Sequence, residues 1–341
     1  MKVLLYFENE KLIRKSGIGR ALEHQKKALE LNGIEWTTNK KDTYDIAHVN
    51  TYYKKSRRLV KKCKKLGIPV IVHGHSTKED FANSFAFWKL IKPFIYSSIE
   101  KCYSLPDKII TPTPYSKRLI EAYPFVTCPV TNISNGVDIN KYSNVSISKE
   151  EELELRHQFG IKDNQKIVMG IGWMFERKGF HDYIEIAKLF PDVAFIWFGS
   201  KNKLMNTRKI NKAISNKTDN VILPGYKPQE TIIKMLHIAD CFLFPSYEET
   251  EGIVLLEAMA CKCPVIIRDI GAFDYLTDSV DCLKATENEG FKTQILKCLD
   301  KKPEEMVEKA FTLVKERDLS CVGAKLKKEY ETLLESKKDL K

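Results

Sequence analysis

The sequence predicts an α/β protein with two lobes, each built on a parallel β-sheet. Short apolar runs alternate with helical stretches of about ten residues or more, a pattern typical of sheets assembled from strand–helix–strand units. The chain has 341 residues, which is long for one core and suggests two domains of about 150 residues each. Its 43% hydrophobic and 30% charged residues are typical of a soluble globular protein.

The predicted strands are the short apolar runs. They span 2–7, 46–49, 69–73, 108–111 and 131–133 in the first half, and 166–171, 194–198, 220–223, 241–244 and 265–267 in the second. A polar segment at 143–152 has no apolar period and predicts the boundary between the lobes. We therefore expect an N-terminal lobe over 1–143, a C-terminal lobe over 144–317, and a final helix over 318–341 that packs back towards the first lobe.

Several classes of protein are disfavoured. No apolar run approaches the roughly 18 residues that a membrane-spanning helix needs, and Glu8 and Glu10 come too early for a signal peptide. The nine cysteines are scattered without a Cys-x-x-Cys pair, so we expect free thiols in a reducing compartment. The close pair Cys261 and Cys263 does not make a zinc site by itself. We expect a cytoplasmic protein.

The ends of the predicted strands carry the residues most suited to chemistry. In open parallel sheets the ligand binds beyond the carboxyl ends of the strands. Four segments that follow strands carry glycine, histidine or charged residues, at 16–20, 73–76, 176–179 and 245–252. We expect these segments to converge on one cleft between the two lobes.

The fourth segment carries a group of carboxylates. It reads PSYEETEGIVLLEAMA over 245–260, with three glutamates ahead of a helix and Glu257 inside it. Acids in the first turn of a helix can simply be stabilised by its dipole, by about 0.3–1 kcal/mol each. Glu257 lies beyond that turn in an apolar run, where a buried carboxylate needs partners. Sugar hydroxyls would supply them, and the amides at the helix start would bind phosphate.

Two other segments offer groups that could hold a phosphate. Arg177 and Lys178 follow a predicted strand and could grip phosphate oxygens, although such a pair is also common on solvated surface. Gly17 and Gly19 form a lone Gly-x-Gly, which fits a turn as well as a close approach to a ligand. The sequence alone leaves both alternatives open for each pair.

His73 and His75 close the predicted strand at 69–73. Because side chains alternate along a strand, we expect these two to point to opposite sides, with at most one facing the cleft. A histidine at such a place can be structural or can contact a ligand, and the spacing does not distinguish the two.

The motifs resemble those of a known family. Glu249 and Glu257 are separated by seven residues, which resembles the Glu-x7-Glu signature of the family 4 retaining glycosyltransferases. Further motifs similar to the family's are YDIAHVN at 44–50, NGVD at 135–138, FERKG at 175–179, PGY at 224–226 and FPSYEE at 244–249. The resemblance implies the GT-B fold, in which two Rossmann-like lobes face each other across the donor site, and it implies no divalent metal.

The resemblance also implies roles for individual residues. Glu249 would act near the reacting carbon of the transferred sugar, His75 would contact that sugar, and Glu257 would bind the ribose hydroxyls. The other donor-binding residues that it implies are Gly17, Gly19, Arg177, Lys178, Tyr226, Gly252 and Ile253. The chain departs from the family at Trp173, where an arginine is usual, and at Thr250-Glu251, where Gly-Phe is usual. Without an arginine at position 173, Arg177 would supply more of the positive charge beside the diphosphate. The change at Thr250-Glu251 can alter contacts to the sugar.

The N-terminal lobe carries all of the excess positive charge. Residues 1–143 have a net charge of +12, against −1 for the remainder. The segment YYKKSRRLVKKCKK at 52–65 has eight basic residues and no acidic residue. The segment FANSFAFWKLIKPFIY at 81–96 is rich in aromatic residues. These could be a solvated helix and a core helix, but together they favour an element in the headgroup layer of an anionic membrane. The candidate membrane or acceptor contacts are Lys54, Lys55, Arg57, Arg58, Phe87 and Trp88.

The predicted function is a retaining transfer of glucose or galactose from UDP-glucose or UDP-galactose to a membrane glycolipid such as monoglucosyl diacylglycerol. In this the chain resembles bacterial diglycosyl diacylglycerol synthases. We expect no cofactor, no nucleic-acid partner, and peripheral association with the inner face of the cell membrane. The alternatives are a soluble capsule or exopolysaccharide transferase, a UDP-sugar epimerase of the same fold, which needs no acceptor, and a nucleic-acid-binding protein, whose affinity would fall steeply with salt.

Overall fold

The computed structural model describes residues 1–10, 16–81, 88–200 and 207–338. The first of its two sheets has six parallel strands in the order β2-β1-β3-β4-β5-β6. These strands are β1 (Lys2–Tyr6), β2 (Glu35–Thr37), β3 (Ile46–Val49), β4 (Val70–His73), β5 (Lys108–Thr111) and β6 (Val130–Asn132). This sheet and the helices that cover it form the N-terminal lobe.

The second sheet also has six parallel strands, in the order β12-β11-β10-β7-β8-β9. They are β7 (Ile167–Ile171), β8 (Ala194–Phe198), β9 (Val221–Gly225), β10 (Cys241–Phe244), β11 (Val265–Arg268) and β12 (Leu283–Ala285). This sheet and its helices form the C-terminal lobe. The two-lobed α/β architecture expected from the sequence is thus confirmed.

Helices separate the strands. Among the described residues they are, in chain order, α1 (Gly17–Leu31), α2 (Lys54–Lys65), α3 (Trp88–Tyr103), α4 (Pro114–Glu121), α5 (Ile139–Ser143), α6 (Lys149–Gln158), α7 (Phe180–Ala187), α8 (Arg208–Ser215), α9 (Gln229–Ile238), α10 (Ile253–Ala260), α11 (Asn288–Asp300), α12 (Glu304–Lys315) and α13 (Leu319–Lys338). No helix in this part of the chain is long and apolar enough to span a membrane.

Both faces of each sheet are buried, which explains why the strands are runs of apolar residues. Every residue of β3, β4, β8, β10 and β11 is buried, as parallel sheets with helices on both faces require. One face of the first sheet packs against residues of α2, α3 and α4, and the other against α1 and α13. The second sheet likewise separates two clusters, one with α9, α10 and α12 and one with α7 and α11.

Helix α13 follows the C-terminal lobe in sequence but packs against the N-terminal lobe. It begins where Leu319 N donates to Val137 O at 3.2 Å. Gly323 allows it to approach α1 closely, because a Cβ at this position would lie 2.1 Å from Ala28 O. Tyr330, further along α13, is fully buried against the first sheet. The last helix therefore ties the end of the chain to its beginning.

Each of the ten predicted strands is present. The two that the sequence did not predict, β2 and β12, are three residues long and lie at the edges of the sheets. The nine cysteines are free thiols, and most of them are buried, as expected.

Candidate active site

The loops that follow the strands meet between the lobes, as the sequence predicted. Thr113, from the N-terminal lobe, donates from Oγ1 to Thr250 O at 2.8 Å, and Thr250 Oγ1 donates to His75 O at 3.2 Å. These two bonds hold the turn after β10 against the segments that follow β5 and β4. The carboxylates of the β10 turn therefore lie in the cleft.

Glu249 lies at the centre of this cleft and is 6% exposed. Lys178 Nζ donates to its Oε1 at 2.5 Å, and Arg177 Nη1 lies 3.7 Å from its Oε2. Burial would raise the pKa of Glu249, but the two cations outweigh it and hold the pKa below its ordinary value. The site therefore contains an ionised carboxylate fixed by two cations, and the structure brings all three predicted residues together.

Arg177 also bridges the two lobes. Its Nη1 lies 2.7 Å from Asp80 Oδ1 and donates to Glu248 O at 2.7 Å. Asp80 belongs to a short turn at Glu79–Phe81 in the N-terminal lobe. Burial raises its pKa, which Arg177 partly offsets. Asp80 could not be identified from the sequence, because its partner lies nearly a hundred positions away on the other lobe.

Gly179 explains how Arg177 and Lys178 come so close to the glutamates. Its φ is +66°, and a Cβ there would lie 2.1 Å from Pro245 O. Only glycine allows this approach. Tyr247 N then donates to Arg177 O at 2.7 Å, which links the loop after β7 to the turn after β10.

Gly252 and Ile253 form the start of α10. Gly252 has φ +80°, and a Cβ there would lie 2.9 Å from the ring of Phe244. The first amides of a helix have no carbonyl partner within it, so this end of α10 can bind an anion. The predicted contacts of both residues with the diphosphate stay a prediction.

Glu257 lies one turn further along α10 and is 2% exposed. Its partners are Tyr142, which hydrogen-bonds to the carboxylate, and Arg20, whose Nε lies 3.5 Å from Oε1. Within the described chain Oε1 has no hydrogen-bond partner, and burial raises the pKa of Glu257 although Arg20 opposes this. A buried carboxylate oxygen that makes this ion-pair contact but no hydrogen bond in the described chain suits a ligand hydroxyl. Arg20 was not assigned from the sequence, although it directly follows the Gly-x-Gly.

The two glycines before Arg20 lie at the start of a helix. Gly17 and Gly19 belong to the first turn of α1, which Ser16 caps by accepting from Gly19 N at 3.4 Å. A Cβ at Gly17 would meet nothing within 4 Å. The space beside it is open for a ligand, while Gly19 is buried. The pair begins a helix because serine offers the capping oxygen that starts one.

The expectation that His73 and His75 point to opposite sides is wrong. Their rings stack with centroids 3.9 Å apart and planes 9° apart. Strand β4 ends at His73, so strand alternation does not extend to His75. His73 Nδ1 lies 3.1 Å from His48 Nε2, His48 Nδ1 lies 2.7 Å from the Tyr330 hydroxyl, and His75 Nε2 lies 2.9 Å from Asn50 Oδ1. Burial lowers the pKa of His48 and of His75 to about 3, so both are neutral near pH 7.

The positions where the chain departs from the family have structural partners. Glu251 is buried and accepts from Ser134 Oγ, from Asn135 N at 3.0 Å and from Asn135 Nδ2 at 2.7 Å. It therefore fastens the β10 turn to the NGVD segment. Trp173 stacks on Phe175 in the loop after β7, with ring centroids 5.8 Å apart.

Tyr226 follows β9 and is 54% exposed, which places it at the surface. Its predicted contact with the donor stays a prediction. Among the described residues no group of three or more histidine, cysteine, aspartate or glutamate side chains is arranged to hold a metal ion.

The basic segment forms α2, as predicted, and one side of it lines an open pocket. Lys54, Lys55 and Arg58 are exposed and Arg57 is half-buried. The pocket has a volume of about 310 Å³ and is lined by Lys54, Arg57, Arg58, Lys61, Lys101, Ser104 and Leu105. Lys55 lies outside the pocket lining. The predicted contact Phe87 lies outside the described residues.

The first half of the neighbouring α3 is not buried in the core, although Ile99, Cys102 and Tyr103 in its second half are. Leu90 is 71% and Phe94 76% exposed, and Ile91 is 37% exposed. Trp88, the predicted contact, begins the helix and is half-buried, with Lys92 Nζ 5.2 Å from its ring centroid. Apolar side chains on α3 therefore face outward beside a basic pocket.

Comparisons with known proteins agree with this geometry. The model described as "Glycosyl transferases group 1" matches residues 151–312, and that described as "Glycosyltransferase Family 4" matches residues 34–141. The chain is 47% identical to the processive diacylglycerol alpha-glucosyltransferase of Acholeplasma laidlawii over 99% of its own length and 100% of that protein. It is 29% identical to the alpha-galactosylglucosyldiacylglycerol synthase of Streptococcus pneumoniae over 69% of this chain and 63% of the relative.

Solved structures share the fold. Anabaena HepE, in complex with UDP and glucose, superposes with a TM-score of 0.78 at 19% identity, over 97% of this chain and 100% of that one. A sucrose-phosphate synthase from Thermosynechococcus elongatus superposes with a TM-score of 0.82 at 14% identity, over 98% and 100%. At these identities the likeness concerns the fold alone.

Proposed function

This chain belongs to the family 4 glycosyltransferases, and we propose that it transfers glucose from UDP-glucose to a hydroxyl group of a diacylglycerol lipid, with retention of the α configuration. The support is the 47% identity, over its whole length, to a processive diacylglycerol alpha-glucosyltransferase. That relative favours glucose over galactose as the transferred sugar and a lipid over a soluble polysaccharide as the acceptor.

The observation that carries the proposal is the arrangement of Glu257, the start of α10 and Glu249 along one cleft. Glu257 offers a buried oxygen without a hydrogen-bond partner in the described chain, suited to a ribose hydroxyl. The helix start at Gly252 suits a diphosphate. Glu249, held by Lys178, suits the sugar. Along the chain, Glu249, Gly252 and Glu257 come in the same order as the sugar, the diphosphate and the ribose of the donor.

Each cation of the site is paired with a carboxylate before any donor is bound. Lys178 pairs with Glu249, Arg177 with Asp80, and Arg20 with Glu257. These ion pairs hold the three cations in position before the diphosphate of the donor binds. As the glycosidic bond breaks, negative charge grows on the diphosphate, and Arg177, Lys178 and the dipole of α10 would stabilise it. Glu249 stays ionised and would stabilise the positive charge that develops on the sugar.

We also propose that α2 and α3 dock on an anionic membrane surface. The exposed Leu90 and Phe94 of α3 would insert among the lipid chains. The basic side chains of α2 would contact anionic headgroups, with about 1 kcal/mol from each cation near the surface. With the membrane docked in this way, the lipid acceptor would reach the cleft from the side of the N-terminal lobe.

The test is a turnover assay with purified protein and two panels of substrates. The donors are UDP-glucose and UDP-galactose, and the acceptors are diacylglycerol, monoglucosyl diacylglycerol and a soluble oligosaccharide. The proposal expects glucosylated lipid from UDP-glucose, with the α linkage established by NMR. Transfer to the oligosaccharide alone, or release of UDP without any transfer product, would overturn it.

A further inference from the structure

One carboxylate of the cleft is not used by the donor site described above. Glu248 directly precedes Glu249, but its side chain faces the N-terminal lobe, where Tyr115 donates from its hydroxyl to Oε2 at 3.0 Å. Its other oxygen, Oε1, is buried and has no hydrogen-bond partner in the described chain. Half of this carboxylate is therefore unsatisfied, at a place where two lobes meet.

The neighbouring charges do not supply the missing partner. Arg177 donates to the backbone oxygen of Glu248 and pairs with Asp80, and the carboxylates of Asp80 and Glu249 lie close enough to repel that of Glu248. Burial raises the pKa of Glu248 to about 7, and Asp80 and Glu249 add to this although Tyr115 and Arg177 oppose it. A buried acceptor left unpaired destabilises the protein, because it has lost its hydrogen bonds to water. A ligand that donates a hydrogen bond to Oε1 would remove this cost.

The ribose, the diphosphate and the transferred sugar of the donor have proposed partners elsewhere in the cleft, at Glu257, at the start of α10 and at Glu249. Glu248 instead points to α4 of the N-terminal lobe, the lobe that carries the proposed lipid-docking face. We propose that Glu248 Oε1 accepts a hydrogen bond from a sugar hydroxyl of a glycosylated lipid acceptor. This inference rests on the proposed function.

The two lipid acceptors differ in the hydroxyl groups that they could offer to Glu248. Diacylglycerol has one hydroxyl group, and that group is consumed in the reaction, so it has none to give to Glu248. A monoglucosyl diacylglycerol keeps three further hydroxyls when one of its four is glucosylated. Glu248 therefore favours the second transfer over the first and acts as a specificity-determining residue for the glycosylated acceptor.

A structural role for Glu248 makes a different prediction. If the residue served only to join the lobes through Tyr115, its loss would affect both acceptors alike, and removal of the Tyr115 hydroxyl would have the same effect. Tyr115→Phe is therefore the matched control, because it deletes the bond to Oε2 and leaves Oε1 in place. Glu248→Gln keeps the size of the side chain and one acceptor oxygen, and it serves as the milder variant.

The experiment measures kcat and KM for diacylglycerol and for monoglucosyl diacylglycerol at saturating UDP-glucose, in wild type, Glu248→Ala, Glu248→Gln and Tyr115→Phe. Calorimetric titration with UDP checks that each variant keeps a folded donor site. For Glu248→Ala we expect kcat/KM to fall about tenfold more with the glycosylated acceptor than with diacylglycerol, chiefly through KM. Glu248→Gln should show a smaller difference of the same sign, and Tyr115→Phe little difference between acceptors.

Equal losses on the two acceptors, or no loss on either, would overturn the inference. If Glu248→Ala fails to bind UDP, the two acceptors are compared in Glu248→Gln instead. Equal losses of kcat/KM on the two acceptors in that variant would also overturn the inference. Failure of the proposed function is a separate result, because the wild-type protein would then transfer glucose to neither lipid.

Discussion

Arg20 and Glu257 form an ion pair across the cleft, with Arg20 Nε 3.5 Å from Glu257 Oε1. The pair joins the first turn of α1 in one lobe to α10 in the other. Glu257 is 2% exposed, while the Arg20 side chain keeps 31% of its surface exposed. A nucleotide that enters the cleft must therefore meet an arginine at the surface before the buried carboxylate.

Replacement of Glu257 by alanine should weaken the binding of UDP while the protein stays folded. A charge-assisted hydrogen bond to ribose is lost, and such bonds contribute about 1.5–3 kcal/mol, or roughly a tenfold to hundredfold change in Kd. Calorimetric titration with UDP measures it. Glu308→Ala is the control, because Glu308 pairs with Lys262 on an exposed surface. Unchanged UDP affinity in folded Glu257→Ala would remove the ribose assignment.

Loss of the Lys178 ammonium should reduce turnover far more than it reduces stability. Lys178 is the cation closest to Glu249 and lies beside the proposed diphosphate site. Removing one group that stabilises developing charge typically lowers kcat by about a hundredfold. Steady-state turnover of UDP-glucose compares Lys178→Ala with Lys212→Ala, an exposed lysine of α8. Small and equal effects would mean that Lys178 does not stabilise the charge that develops on the diphosphate.

Gly179→Ala should destabilise the protein strongly and reduce turnover as well. The left-handed backbone costs alanine about 1–2 kcal/mol, and the contact of its Cβ with Pro245 O adds about 1–3 kcal/mol. Gly160 offers a matched control, since its φ is +70° but a Cβ there meets nothing within 4 Å. Urea unfolding should show a larger loss of free energy for Gly179→Ala than for Gly160→Ala. Equal losses would show that the loop can move away from Pro245.

The sequence predicted the fold well because its main signals are local. A parallel strand buried on both faces is a run of apolar residues, and β4 and β10 are clear examples. The strands that were missed, β2 and β12, have three residues each and pair with one neighbour only. Such edge strands are fixed by the sheet they join, and three residues carry too little pattern to predict them.

The candidate site was predictable only in part, because several of its contacts join residues of different lobes. Lys178 and Glu249 could be paired from motifs that follow strands of one sheet. The partners Asp80, Arg20 and Tyr115 come from the N-terminal lobe, and no periodicity or spacing links them to the C-terminal residues they contact. These contacts depend on how the lobes meet, which local patterns do not encode.

The stability of the protein should depend on pH through Glu248. Burial raises its pKa to about 7 from an ordinary value of 4.5, so the folded protein holds this proton more tightly than the unfolded chain. The resulting stabilisation is fully present below pH 4.5 and is lost as the pH rises through 7. Glu248→Gln removes this dependence, while Asp80, Arg177, Glu249 and Tyr115 remain in both proteins.

Urea unfolding of wild type and Glu248→Gln at a series of pH values between 5 and 8 tests this expectation. The free energy of unfolding of the wild type, relative to the variant, should be greater at pH 5 than at pH 8. A difference that is constant over this range would mean that Glu248 titrates near its ordinary pKa, and that its surroundings are more solvated than the structure indicates.

Vesicle binding should depend on the charges of α2 and the apolar residues of α3. A variant with Lys54, Lys55, Arg57 and Arg58 changed to glutamine should bind phosphatidylglycerol vesicles more weakly, and its binding should depend less on salt. Exposed charges are screened within about 10 Å at 0.1 M salt. Leu90→Ser with Phe94→Ser should weaken binding at every salt concentration, because it removes apolar insertion and leaves the charge intact. Sedimentation with vesicles of increasing anionic content measures both.

The control for this last prediction keeps the net charge of the quadruple variant but changes the other lobe. It replaces four exposed lysines of the C-terminal lobe with glutamine, namely Lys209, Lys212, Lys297 and Lys309. This variant should bind anionic vesicles like the wild type, since its charges lie away from α2, and all variants should bind UDP normally. If both quadruple variants lose vesicle binding equally, the attraction of the protein to anionic vesicles depends on its net charge and not on the position of α2. If the wild type does not bind anionic vesicles at low salt, the membrane-docking proposal fails, and a soluble acceptor becomes the better hypothesis.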